Sequence, residues 1–429
     1  MHSKALQLPL RYRPLRLFLW IMGAIAGIIA CIWLFPSPGT GDVGLYEQII
    51  AGFRRHGLAH FYTCITDNCP GHWANYPPLY LLVFYLTQQI GGTIFTTFIL
   101  EKSVVAIFYA ATILLLGYFA LIFRPKNITT IDWVLRGIFL SLTGISFIIN
   151  SISLGYIDSF VFPFIILSLI LLSRHKYFLS GIFFACGFLM KWIPILMLPL
   201  YILHTHRLGK KSLILFVMGV AVPVYITGVF AWGWNFLPVY IHGLLNAGSD
   251  PYFVAAPTIP WLWTMVFPLL IKGLPDNLLI HLNTLTTTPT ISFVYFEFKL
   301  IFLCYYFWIL YQLYKFSPTE QTMRPLLWGA VYIYIGYFFL ATGVHENHLM
   351  MGVLCALLLT IMHPTTRTLH LYREIDFISA GSMMLYYGIS GTPLIPVNTT
   401  TIAYPFVVTL IFSYWFIRQA SRIQNDLAG

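Results

Sequence analysis

Long unbroken apolar runs constrain this chain before anything else does. Leu17 to Phe35 carries no charged residue, and neither does Ser103 to Phe123; at about 20 residues each can cross the hydrocarbon core of a bilayer as a helix. The pattern is general, because 59% of the 429 residues are hydrophobic and only 9% are charged, against roughly 25% charged in a soluble domain. A water-soluble globular fold is excluded, and the backbone polar groups of such runs demand helices that satisfy themselves. The expected class is an all-α polytopic membrane protein of about 12 transmembrane helices, within a range of about 10 to 13, forming a single integral-membrane domain over residues 1–429.

The spans read from the sequence are Leu17 to Phe35, Ile99 to Phe123, Val134 to Ile149, Ile157 to Leu172, Tyr177 to Met190, Ile193 to Leu203, Leu213 to Trp232, Phe296 to Tyr314, Leu326 to Ala341, Leu349 to Met362, Ile375 to Ile389 and Tyr404 to Ile417. Lys4, Arg11, Arg13 and Arg16 precede the first, whose far end, Phe35-Pro36-Ser37-Pro38, lacks a signal-peptide cleavage pattern. It therefore reads as a retained span with residues 1–16 in the cytoplasm. With alternating crossings, 18 of the 24 Lys and Arg fall on cytoplasmic loops and nine of the 14 acids fall outside, which is the expected positive-inside bias. The net charge of +10 is thus a topological signal and not the mark of a nucleic-acid partner.

Two outer segments, residues 36–98 and 233–295, are too long to be simple connectors and bracket a core block, 99–232; spans 296–429 complete the chain. Each long segment holds a short apolar stretch, Leu79 to Ile90 and Trp261 to Ile271, expected to be an interfacial or re-entrant helix. Tyr177 to Leu203 reads as two short helices hinged at Lys191-Trp192-Ile193-Pro194. Six Cys do not make a disulfide scaffold, and the Cys64/Cys69 spacing suits either a small closed loop or a free pair. Asn398-Thr399-Thr400 matches a glycosylation acceptor on the outer side, relevant only in a eukaryotic host.

A charge at membrane depth costs on the order of 3 kcal/mol, so each one is a candidate for function. Three clusters stand out. Asp42 and Glu47 follow the first span in Gly41-Asp42-Val43-Gly44-Leu45-Tyr46-Glu47, and a helix is expected onward through Arg54 and Arg55; its N-terminus would favour an ionised Asp42, as a cap or as a base. Asn75-Tyr76-Pro77-Pro78-Leu79-Tyr80 stiffens the approach to the first interfacial helix. The third cluster is Asp158 at the outer start of span four, Lys191 at the hinge, and His345-Glu346-Asn347-His348 between spans nine and ten. Lys191 has poor reach to bulk water, which argues against a snorkelling lysine. His-Glu-Asn-His departs from the zinc-protease spacing, although Glu346 and Asp158 leave room for a divalent cation; no cofactor is required by the sequence. Aromatic walls beside a Lys or Arg suit a sugar ring, an isoprenoid and a phosphate, and the absence of a phosphate-cradling Gly-rich loop argues against nucleotide-driven chemistry.

The ordered set Gly41-Asp42 with Leu45-Tyr46, His56-Gly57-Leu58 with Phe61-Tyr62, Tyr76-Pro77-Pro78-Leu79-Tyr80, Gly155-Tyr156-Ile157-Asp158-Ser159, Lys191 before Pro194 and Leu198-Pro199, and His345-Glu346-Asn347-His348 resembles integral-membrane glycosyltransferases of the GT-C superfamily. The nearest likeness is to mannosyltransferase-like proteins related to the second mannosyltransferase of GPI-anchor assembly, over most of residues 38 to 355. Tyr156 stands where relatives often carry Gln, and Asn347 where they carry Arg. The resemblance implies a GT-C-like fold and inverting transfer of a sugar, mannose as first choice, from a polyprenyl-phosphate donor to an acceptor hydroxyl of a glycolipid, polysaccharide or protein on the outer face.

In that scheme Asp42 is the general base. Lys191, His345, Arg54 and Arg55 bind the donor phosphate, while Asp158, Glu346, Tyr76, His348 and Tyr46 bind sugar or acceptor. The rival class is a polytopic transporter or lipid flippase, against which stand the single outer depth of the candidates and the lack of a visible inverted repeat. The topology carries its own check: reporters fused at either terminus are expected to register the cytoplasm, and opposite sides for the two ends would refute the twelve-span reading.

Overall fold

The computed structural model describes residues 13–40, 43, 77–91, 96–125, 128–238, 240–241, 258–260, 289–316, 323–389 and 403–428, and among them all regular structure is helical. In chain order the helices are α1 (Arg13–Leu34), α2 (Pro78–Gly91), α3 (Thr97–Ile122), α4 (Thr130–Leu142), α5 (Ile145–Ser153), α6 (Asp158–Ser173), α7 (Tyr177–Met190), α8 (Leu198–Arg207), α9 (Lys210–Trp232), α10 (Pro289–Phe316), α11 (Arg324–Leu340), α12 (Met350–Met362), α13 (Thr366–Tyr387), α14 (Ala403–Ala420) and α15 (Ile423–Ala428). Of these, α1, α3, α9 and α10 contain runs long and apolar enough to cross a membrane, with α4 and α5 a fifth if the bent pair is one span.

The distribution of apolar surface is that of a membrane-embedded bundle. Helices α11 and α12 are apolar all round and buried along most of their length. At 17 and 13 residues they rise about 25 and 20 Å, short of a hydrocarbon core of about 30 Å. Around them α1, α9, α10 and α14 turn Ile32, Trp33, Ile226, Phe230, Phe296, Phe307, Tyr414 and Ile417 outward, a surface that hydrocarbon tolerates and water does not. Helix α6 packs against α3 on one side and α7 on the other, and α7 packs closely on α9. Two glycines permit that approach: a Cβ on Gly181 would meet the Phe216 carbonyl at 2.2 Å, and one on Gly219 the Phe178 carbonyl at 2.0 Å, so van der Waals contact runs backbone to backbone.

Where the sequence suggested one continuous span, Val134 to Ile149, the chain breaks and bends by 56° between α4 and α5. A break inside apolar surroundings leaves carbonyls and amides that have no water to turn to. Asp376 on α13 answers the amides: its carboxylate accepts from Ser146 N at 3.0 Å, Ile145 N at 3.1 Å and the Ser146 hydroxyl. Tyr372 donates to the Leu140 carbonyl at 2.8 Å and Tyr109 to that of Ser141 at 3.0 Å. The second half of α5, Ile148–Ser153, winds as a π-helix, wholly buried. Lys102 on α3 closes its end, donating to the Ile152 and Ser153 carbonyls and to Ser37 at 3.2 Å just past α1, a cation where the helix dipole is negative.

Most of the other expected elements fall close to their sequence positions, but α10 and α13 begin at Pro289 and Thr366, well before the expected Phe296 and Ile375, and α8 begins at Leu198 where Ile193 was expected. The stretch Leu79 to Ile90 is α2, and the hinge after Met190 is real: Lys191 is extended at φ −155° and ψ 140°, and a 3₁₀ turn, Ile193–Met197, precedes α8. All of Trp261 to Ile271, together with Cys64, Cys69 and Asn398, lies outside the described residues. Replacing Asp376 by Leu removes three hydrogen bonds to the start of α5 and is expected to cost about 2 kcal/mol, with Asp376→Asn costing less; thermal unfolding in detergent measures both, and an unchanged midpoint for the Leu variant would refute the capping role.

Candidate functional site

Four segments distant in sequence bring polar groups to one end of the bundle. The turn between α5 and α6 is set by Gly155, at φ +73°, with Leu154 N donating to the Ile149 carbonyl at 2.8 Å and Tyr156 N to the Asn150 carbonyl at 2.9 Å. The positive φ suits glycine and lets the chain reverse tightly. That turn delivers Asp158 to the first residue of α6, where the exposed amides favour a carboxylate.

Lys191, the residue at which α7 ends, reaches across to Asp158: its Nζ lies 2.8 Å from Oδ1, with 11% of the lysine side chain and 2% of the aspartate exposed. The hinge therefore aims the ammonium inward, and the snorkelling reading falls away. The other carboxylate oxygen, Oδ2, accepts from two amides, Asn347 Nδ2 at 2.9 Å and Asn150 Nδ2 at 3.2 Å. Removing one partner from a buried pair of this kind costs about 3–5 kcal/mol, because the remaining charge is left uncompensated.

The loop between α11 and α12 supplies His345, Glu346, Asn347 and His348. It is pinned by His348 N donating to the His345 carbonyl at 3.0 Å and by Met350 N donating to that of Asn347 at 3.1 Å. His345 N donates to His348 Nδ1 at 3.2 Å, which makes Nδ1 an acceptor and puts the imidazole proton on Nε2. Burial, with His345 and Lys191 beside it, pushes His348 well below its ordinary 6.5. Its ring stacks on Tyr337 at 5.9 Å. Glu346, 1% exposed, accepts a hydrogen bond from the Tyr156 hydroxyl, and Tyr156 meets Tyr387 of α13 edge to face at 6.2 Å.

The structure thus brings together Asp158, Lys191, Glu346, His345 and His348. Lys191, expected on a donor phosphate, and Asp158, expected on a sugar or acceptor, are each other's partners here. Asp42, Tyr46, Arg54, Arg55 and Tyr76 lie outside the described residues. Their neighbours Thr40 and Val43 are described, and both dock at the site's turn: Thr40 N donates to the Leu154 carbonyl at 3.2 Å, and a Cβ on Gly155 would come 3.0 Å from Val43 Cγ2.

Asn150 was not foreseen, nor was the Asn347 contact. Asn150 is a polar residue immediately after an apolar run, which is itself a signal, yet its bearing depends on the π-helix that carries it. The side-chain amide oxygens (Oδ1) of Asn150 and Asn347 are buried without a hydrogen-bond partner among the described residues, as is the Tyr386 hydroxyl. As for a metal, no group of three or more His, Cys, Asp and Glu is arranged to hold one among the described residues. The atoms facing Asp158 are an ammonium and two amide N–H groups, donors where a cation's shell needs acceptors, so a divalent ion does not fit there.

Compared with known proteins, the chain matches no family model, and no curated protein matches it.

The depressed His348 sets a pH dependence. The unfolded chain takes up a proton as the pH falls through 6.5, while the folded one does not; stability is therefore full above that value and is lost on acidification, by at most about 1.4 kcal/mol per pH unit. Melting temperatures from about pH 7.5 to about pH 5.5 are expected to fall in wild type and to fall less in His348→Asn. Equal slopes would show that the imidazole is not held neutral.

Proposed function

We propose that the chain is an inverting glycosyltransferase that moves a sugar, mannose as first choice, from a polyprenyl-phosphate donor to an acceptor hydroxyl on the outer face of the membrane. In this reading the fold is GT-C-like, with about 12 crossings and both termini in the cytoplasm. The observation that carries it is the convergence of Asp158, Lys191 and the His345-to-His348 loop on one polar centre in a membrane-embedded bundle, in the order expected from the motifs of the sequence. Buried charge in such a protein is expensive to keep and marks function by default.

The chemistry divides among these groups. The acceptor oxygen attacks the anomeric carbon from the face opposite the phosphate, and Asp42 takes the acceptor's proton. As the new C–O bond forms, the bond from the anomeric carbon to the phosphate oxygen breaks and its electron pair leaves with the lipid phosphate. Lys191, with His345 and the Arg54-Arg55 pair, offsets the charge growing on that phosphate, the electrostatic contribution that is usually largest. Glu346, held by Tyr156, and the buried side-chain amide oxygens of Asn150 and Asn347 supply acceptors for sugar hydroxyls. Helix α2, behind the Pro77-Pro78 pair, would guide the isoprenoid tail.

Transfer of radiolabelled sugar from a synthetic polyprenyl-phosphate mannose, assayed in detergent, tests the reading. Asp42→Asn is expected to lose about 10²–10⁴-fold in kcat, and Lys191→Ala to lose turnover beyond any fall in folded yield. Activity of Asp42→Asn within a few-fold of wild type would remove Asp42 as base; no turnover of donor by wild type would leave the enzyme reading without support.

A further inference from the structure

A phosphate that draws Lys191 away from Asp158 would leave a buried carboxylate without its cation. The site contains the remedy. Among the described residues Asp158 divides its hydrogen bonds by oxygen: Lys191 alone holds Oδ1, while Asn150 and Asn347 both hold Oδ2. The two amides come from different segments, one from the π-helix of α5 and the other from the α11–α12 loop, and both residues are buried. Neither amide bears on the ammonium's oxygen, so both bonds can persist while the lysine swings away. A π-turn is an uncommon device that recurs at functional sites, and here it turns Asn150, on the span that precedes α6, back toward the first residue of that helix.

We propose that Asn150 and Asn347 act as a neutral amide clamp, positioning residues that keep the Asp158 carboxylate hydrogen-bonded when Lys191 changes partner to a substrate phosphate. The phosphate half of this statement rests on the glycosyl-transfer reading; the clamp itself does not. A lysine held by a carboxylate with no other donors would be locked, since breaking a buried pair leaves a charge uncompensated. Charge-assisted hydrogen bonds from the two amides lower that cost and make the exchange of one anion for another near to balanced. The pair is built at the hinge after α7, where the backbone of Lys191 is extended.

The clamp is tested by a double-mutant cycle on melting temperature in detergent. Lys191→Met imitates the departed lysine. The loss it causes is expected to be larger in an Asn347→Leu background than in wild type, and Asp158→Asn is expected to abolish that coupling. Additive losses would overturn the clamp. If Asn347→Leu does not fold, Asn150→Ala replaces it in the same cycle with the same two outcomes.

A second arm uses a polyprenyl phosphate lacking sugar, titrated into the full-length protein and followed by tryptophan fluorescence. Asn347→Leu is expected to bind it about tenfold more weakly, or about 1.4 kcal/mol. Coupling in the cycle together with wild-type-like binding by the Asn variant would overturn the exchange of partners. A wild type that binds no polyprenyl phosphate would overturn that exchange and the phospholipid-donor reading beneath it, leaving the cycle to decide whether the amides support the carboxylate.

Discussion

A carboxylate placed among apolar helices has to be answered by donors, and in this protein the answer to Asp158 organises one end of the bundle. Lys191 and two amides reach it from the end of α7, from α5 and from the α11–α12 loop. Each donor lies on a different segment, so the carboxylate ties three connections of the chain to a single point. Low dielectric makes those bonds strong and makes their absence costly. The centre is therefore a tightly fastened part of this end of the bundle.

The same rule recurs wherever the helices are interrupted. At the bend between α4 and α5 the Asp376 carboxylate and the hydroxyls of Tyr372 and Tyr109 take up groups that the helix leaves open. At the end of α5 Lys102 gathers carbonyls from two segments. At the opposite end of the bundle Arg367 binds Asp426 of α15 at 2.9 Å and Gln419 of α14 at 2.7 Å, and Gln419 passes the network on to Glu374 at 2.9 Å. All four carboxylates, those of Asp158, Asp376, Asp426 and Glu374, lie within the first turn of a helix or join one helix to another. Polar side chains here fasten the architecture that apolar packing fills.

That division explains the position of the candidate site. Helices α11 and α12 are too apolar to carry chemistry along their length, and the outer helices face hydrocarbon. Polar groups can gather only where helices begin, end or break. Asp158 begins one, Lys191 ends another, the His345-to-His348 loop joins two, and Asn150 sits in a helix wound out of register. The tyrosines at the end of α13, with Tyr387 against Tyr156, close the same corner.

Much of this was legible in the order of residues. Apolar runs gave α3, α6, α7 and α12 nearly to the residue and α1 and α9 to within about a turn, the stretch Leu79 to Ile90 gave α2, and Pro194 with its neighbours gave the hinge. Asp158, Lys191 and the His-Glu-Asn-His loop were visible because charge at membrane depth is conspicuous against an apolar background. The break between α4 and α5 was not visible, since the carboxylate that satisfies it lies more than two hundred residues downstream. The pairing of Lys191 with Asp158, and the recruitment of Asn150 and Asn347 to the same carboxylate, were hidden for the same reason. Hydrophobicity is a property of the residue and can be summed along a sequence; a hydrogen bond between distant segments exists only once packing has fixed their distance. The chain by itself determined that it would live in a membrane and which residues would be costly there, and the tertiary structure decided which of those residues would answer one another.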